Sequence, residues 1–138
     1  MIRITFSKSH VKRLQEELDL SLIFISHDLA VVEHLCNSIV VMYLGSIVEI
    51  CSKAELYARP RHPYTQALIA AVPIPDPKVE REREYRPLAG DVPSPIHVPS
   101  GCPFHPRCPD VCGECGESKP ELIEVTPGHR VACHSALR

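Results

Sequence analysis

The chain has 138 residues, a formal net charge of -2, 44% hydrophobic and 23% charged residues, which suits one modest core with a small appendage. That balance gives no basis for a nucleic-acid or anionic-membrane partner, and four Tyr, three Phe and no Trp offer no platform for stacked bases. No window approaches the ~20 apolar residues of a spanning helix, and Met1 to Lys8 lacks the apolar stretch of a secretory signal, so reduced thiols are expected.

In chain order, Val11, Leu14 and Leu18 fall at helical spacing, with Lys12/Glu16 and Arg13/Glu17 as i,i+4 pairs, which predicts a surface helix ending near Asp19. Leu22 to Ser26 is a short apolar run without alternation, the pattern of a strand buried on both faces. A second amphipathic helix is predicted from about Asp28 to Cys36, with Asp28 as N-cap. Ser38 to Met42 and Ser46 to Ile50 are β-rich runs around Tyr43-Leu44-Gly45 and read as a hairpin. Ser52-Lys53-Ala54-Glu55 is a capping box opening a short helix that Pro60 stops. Pro63 opens the next helix, Tyr64 to Val72. Seven of the fourteen prolines fall between Pro73 and Pro99, around the charge run Glu80 to Glu84. An extended linker is predicted there, with Leu88 to Val92 docking locally.

Five of the seven cysteines lie in the last 37 residues: Cys102, Cys108, Cys112, Cys115 and Cys133. Thiols gathered among prolines and glycines hold a metal or form disulfides, and a reducing compartment favours the metal. Spacing alone leaves zinc and iron–sulfur open, with His105, His129 and His134 as further zinc ligands. Either metal would staple a tail otherwise too small and polar to fold. Cys112-Gly113-Glu114-Cys115 also permits a thiol oxidoreductase, a weaker reading without a strand leading into a helix. Cys36 and Cys51 read as buried structural thiols, and His10, His62 and His97 as surface residues.

An apolar strand, Ser26-His27-Asp28, then a helix is the layout of an α/β protein whose site lies at a strand's carboxyl end. A histidine capping a neighbouring loop is the bland alternative. Phe24-Ile25-Ser26-His27-Asp28-Leu29-Ala30-Val31-Val32 followed by Val41-Met42-Tyr43-Leu44-Gly45-Ser46-Ile47-Val48-Glu49 resembles the switch-histidine region of ABC-transporter ATPases. More narrowly it is similar to the ATP-binding subunits of oligopeptide and dipeptide importers. Arg61-His62-Pro63-Tyr64-Thr65-Gln66-Ala67-Leu68, Gly90-Asp91-Val92-Pro93-Ser94-Pro95 and Cys102-Pro103-Phe104-His105-Pro106-Arg107-Cys108-Pro109 resemble their C-terminal extension. The resemblance runs from about Leu14 to Cys133.

It implies that His27 occupies the position that contacts the γ-phosphate and helps orient the attacking water, a role an imidazole donor suits. It also implies a [4Fe–4S] cluster on Cys102, Cys108, Cys115 and Cys133, which reproduce the family's C-x5-C-x6-C-x17-C spacing, with Cys112 extra. Zinc remains the alternative. The sequence contains no G-x-x-x-x-G-K-[ST], no Leu-Ser-Gly-Gly-Gln and no apolar strand ending in Asp-Glu before His27. The phosphate cradle and Mg²⁺ ligands that phosphoryl transfer requires are therefore not in it.

The expectation is thus an α/β chain: the C-terminal part of a P-loop ABC ATPase domain followed by a small irregular Cys-rich, metal-bearing extension. Residues 1–72 would be the nucleotide-binding remnant, 73–99 the Pro-rich linker and 100–138 the iron–sulfur extension. ATP and Mg²⁺ would belong to the full-length family only, and this chain alone would be inactive. Expected partners are a second ATP-binding subunit and membrane permease subunits, placing the chain in the cytoplasm on the inner face of the membrane without insertion. The alternative is a stand-alone metal-binding interaction module without ATPase activity.

Overall fold

A computed structural model describes residues 13–15, 17–72, 88 and 90–137. Its packing divides into two units, Met1–Asn37 and Ser38–Arg138. Strands from both sides of residues 72–99 share one sheet in the second unit. The charge run at 80–84, most of the expected linker, Val11, His10 and the Lys12/Glu16 pair lie outside the described residues. Of 88–92, Leu88 is half-buried and Val92 exposed.

In the first unit, residues 13–15 and 17–18 are helical and the turn falls at Asp19, as the pattern predicts. Arg13 pairs with Glu17 at 3.4 Å across the exposed face. Residues 21–26 correct the sequence reading. They form no strand, and Ile23 and Ile25 are 95% and 93% exposed. A central strand exists only where neighbours complete its backbone hydrogen bonds, and residues 21–26 join no sheet among the described residues. Helix α1, Leu29–Leu35, then starts as expected: the Asp28 carboxylate accepts from the Ala30 and Val31 N–H groups and caps it.

The second unit is built on a four-stranded antiparallel sheet of order β1-β2-β4-β3. β1, Ser38–Tyr43, and β2, Ser46–Ser52, form the expected hairpin. Leu44 and Gly45 both adopt positive φ, 44° and 76°, the pair of values that a two-residue type I′ turn demands. β1 alternates strictly, with Ile39, Val41 and Tyr43 inward and Val40 and Met42 in solvent.

Ser52 Oγ accepts from the Glu55 N–H and starts α2, Lys53–Ala58. α3, Pro63–Ala70, has proline in its first turn, and His62 Nδ1 caps it by accepting from the Tyr64 N–H. The tail is more regular than expected. Besides a four-residue helix α4, Glu114–Glu117, it holds a second hairpin, β3, Ile123–Thr126, and β4, His129–Val131. β4 pairs with β2 through Glu49↔Val131 and Ile50↔Arg130.

Two features clamp the tail onto the hairpin. Phe104 is fully buried, with its ring 5.2 Å from Tyr43, 5.4 Å from Tyr64 and 5.7 Å from His62. These edge-on and tilted arrangements are the favourable ones for aromatic pairs. Glu49, also fully buried, accepts from the Arg61 N–H at 2.7 Å, the His62 N–H at 3.1 Å and His129 Nε2 at 2.7 Å. One carboxylate thereby joins β2, the entry to α3 and β4. Among the described residues no helix is long and apolar enough to cross a membrane.

Candidate metal centre

The cysteine-rich tail is folded back on itself by one glycine. Gly101 has φ 66°, and a Cβ there would meet the Cys115 carbonyl oxygen at 2.4 Å and the Gly116 backbone at 2.8 Å. Only glycine fits that approach. It lets the Cys102 N–H donate to the Cys115 carbonyl at 2.8 Å, joining the two halves of the motif. A 3-10 turn at His105–Arg107 then carries the chain to Cys108. His105 Nδ1 donates to the Cys102 carbonyl at 2.9 Å, so this ring braces the loop. His134 Nε2 donates to the Ser118 carbonyl at 3.0 Å and is likewise used in bracing.

Cys102, Cys115 and Cys133 are buried and Cys108 and Cys112 half-buried. The tail thiols influence one another's ionisation. The Cys133 sulfur acts on both Cys102 and Cys108, and Cys115 acts on Cys108 and is acted on by Cys102 and Cys112. Burial raises the pKa of Cys102 and Cys115, and it pushes Cys108 up to about 11. Against that, backbone N–H groups of Phe104 and His105 point at the Cys102 sulfur, that of Asp110 at Cys108, and that of Cys112 at Cys115, the last at 3.4 Å. N–H groups aimed at sulfur favour the thiolate. Crowded neighbours and burial oppose it, and a cation resolves that conflict by deprotonating the thiols outright. The donor set therefore fits a thiolate-bound metal.

The fifth thiol sits among the others. Cys112 Sγ lies 3.3 Å from Cys115 Sγ, so it is not segregated from the four family-spaced positions. His27 stands in a bend between residues 21–26 and α1, exposed to solvent, in the first unit. It shares that unit with none of the tail cysteines.

The family model for the oligopeptide/dipeptide transporter C-terminal region matches residues 48–115. A putative oligopeptide transport ATP-binding protein of Bacillus subtilis is 52% identical over 90% of this chain. A putative peptide import ATP-binding protein of Brucella ovis is 53% identical over 89%, and the oligopeptide transport ATP-binding protein of Haemophilus influenzae 50% over 92%. The chain carries the oligopeptide/dipeptide transporter C-terminal region in residues 48–115. It spans about 38% of the length of these curated relatives.

Some buried positions escaped the sequence reading. His62, expected on the surface, is 1% exposed. The Glu49 carboxylate engages its backbone N–H, its own ring caps α3, and Phe104 packs on it. Its imidazole is held neutral, because burial lowers its pKa to about 4 against the opposing pull of Glu49. His-Pro at a predicted helix start was the available signal for an N-cap. Glu49 carried no local signal, since its partners lie 12, 13 and 80 residues away in sequence. Cys51 is buried as expected, and burial followed by Glu49 and Glu55 pushes its thiol up to about 11. Cys36, expected buried, is only half-buried at the end of α1.

Proposed function

We propose that this chain is the C-terminal part of an ATP-binding subunit that couples ATP binding and hydrolysis to uptake of peptides through an ABC importer. The observation that carries the reading is identity of 50–53% to three such subunits along some nine-tenths of the chain. In the complete subunit His27 is the switch histidine at the γ-phosphate, and ATP with Mg²⁺ is held by segments that this sequence does not contain. A second ATP-binding subunit and permease subunits are the partners, and the working location is the cytoplasmic face of the membrane. By descent, residues 1–72 correspond to the end of the nucleotide-binding domain, 73–99 to the linker and 100–138 to the extension.

In the extension, Cys102, Cys108, Cys115 and Cys133 hold a [4Fe–4S] cluster that fixes the fold of the tail. Zinc is the competing occupant, and the match to the family's C-x5-C-x6-C-x17-C spacing favours the cluster. Cys112 is a neighbour and not a ligand in this assignment.

A second reading, a stand-alone metal-binding module, draws support from the second unit's own buried core of Val41, Tyr43, Val48, Leu56, Phe104 and Val131. Translating the DNA upstream of Met1 in all forward frames separates the two. Phosphate-loop, signature and Asp-Glu motifs there support the importer reading, and their absence favours the module. ATP turnover by the purified 138-residue chain that disappears in His27→Ala would overturn the claim that this chain alone is inactive.

A further inference from the structure

Away from the tail thiols, three side chains meet on the inner face of the sheet. Glu49 and Cys51 are two residues apart on β2 and share that face. Continuing the β2–β4 register one step from Ile50↔Arg130 sets His129 opposite Cys51. The Cys51 thiol, a Glu49 carboxylate oxygen and a His129 ring nitrogen lie within 4.8 Å of one another, all buried. Glu55, in the first turn of α2, brings Oε2 to 3.7 Å from His129 Nδ1. Its carboxylate also acts on the Cys51 thiol.

Hydrogen-bond accounting assigns the imidazole tautomer. Glu49 Oε1 accepts from the Arg61 N–H and contacts His129 Nε2, each at 2.7 Å. A carboxylate has no proton to offer, so Nε2 carries the hydrogen. Nδ1 has no hydrogen-bond partner, on a side chain 1% exposed. In the neutral ring its lone pair faces the Glu55 carboxylate across 3.7 Å, and the Cys51 sulfur lies within 4.8 Å of a nitrogen of the same ring. A buried imidazole nitrogen without a hydrogen-bond partner, with a carboxylate on one side and a thiol nearby, is a donor set that a cation would satisfy. A metal-bound histidine is held in the same way, with one nitrogen on the ion and the other donating to a carboxylate. Nitrogen and oxygen ligands at 2.0–2.1 Å in a tetrahedral set stand ~3.4 Å apart, a few tenths of an ångström from the observed separation.

We propose that Cys51, Glu55 and His129 form a second metal site for Zn²⁺ or a similar divalent transition ion, with Glu49 as the positioning carboxylate behind His129. A mixed sulfur, nitrogen and oxygen set selects such an ion over Mg²⁺ or Ca²⁺, which take oxygen ligands. The three ligands are His129 Nδ1, the Cys51 thiolate and the Glu55 carboxylate. Water fills the fourth position from the side of Glu55, whose side chain is 46% exposed. Binding releases the thiol proton. The ion ties α2 to β2 and β4, and it shares no cysteine with the tail.

The test counts bound zinc by equilibrium dialysis and elemental analysis on the full 138-residue chain, after the metal it carries on purification has been counted. Wild type is compared with Cys51→Ser, Glu55→Gln and, as a thiol control, Cys36→Ser. The expected result is one equivalent of zinc lost in Cys51→Ser and in Glu55→Gln and none in Cys36→Ser. Added zinc should also raise the melting temperature of wild type but not of Cys51→Ser. Should Cys51→Ser fail to fold, Glu55→Gln decides, because that side chain is half in solvent and its loss leaves no cavity. Equal zinc in all variants, with His129 carrying protons on both nitrogens by NMR, overturns the site in favour of an imidazolium bridging Glu49 and Glu55.

Discussion

Replacing Glu49 by alanine removes the one acceptor shared by the Arg61 N–H, the His62 N–H and His129 Nε2. Each donor is left in a site closed to water, and a buried donor without a partner costs about 1–3 kcal/mol. A loss of about 4 kcal/mol is expected, close to the whole stability of a small unit. Urea unfolding followed by circular dichroism at pH 7 measures it, with an unchanged slope showing that the unfolded state is the same. A double-mutant cycle with His129→Ala isolates the 2.7 Å contact, and a coupling of at least about 1.5 kcal/mol is expected for a hydrogen bond to a buried charge. A loss below about 1 kcal/mol in Glu49→Ala would refute the claim that this carboxylate clamps the tail to the hairpin.

Phe104→Ala empties the aromatic cluster with Tyr43, Tyr64 and His62 and should cost about 3–5 kcal/mol, read by the same denaturation. His62 is held neutral with a pKa near 4 by burial, so its unfolded form takes up protons first as pH falls. Its contribution, about 3 kcal/mol at most, is complete above about pH 6.5 and drains away as pH drops toward 4. His62→Asn keeps an N-cap and should flatten that pH slope in thermal melts. Gly101→Ala drives a Cβ into the Cys115 carbonyl and should abolish metal retention by the tail, whereas Cys112→Ser should leave it intact. Ile23→Lys with Ile25→Lys places charge on two exposed apolar side chains and should raise solubility without changing the melting temperature.

Local chemistry was legible from the sequence. Asp28 and Ser52 cap the helices they were expected to cap, and Leu44-Gly45 turns the hairpin, because each signal acts within four residues. The β3–β4 hairpin was also within reach, since Ile123 and Val125 alternate before Pro127-Gly128. The tail cysteines had masked it. What failed was long-range. Residues 22–26 carry a strand's composition yet pair with nothing among the described residues, and composition cannot supply a neighbour. Glu49, His62 and His129 read as an ordinary strand glutamate and two surface or zinc-site histidines. Their burial depends on β2 meeting β4 some 80 residues later. The thiol spacing singled out the tail cysteines as candidates, whereas the place of Cys51 beside His129 follows from register alone.

The most direct measurement is iron and acid-labile sulfide in the 138-residue chain purified without oxygen, with visible absorption and the spin signal of the reduced form. Iron and sulfide in equal amounts, lost in Cys102→Ser, Cys108→Ser, Cys115→Ser and Cys133→Ser but kept in Cys112→Ser, is the expected result. Zinc without sulfide, or disulfides among these thiols, would contradict the cluster at the centre of the account.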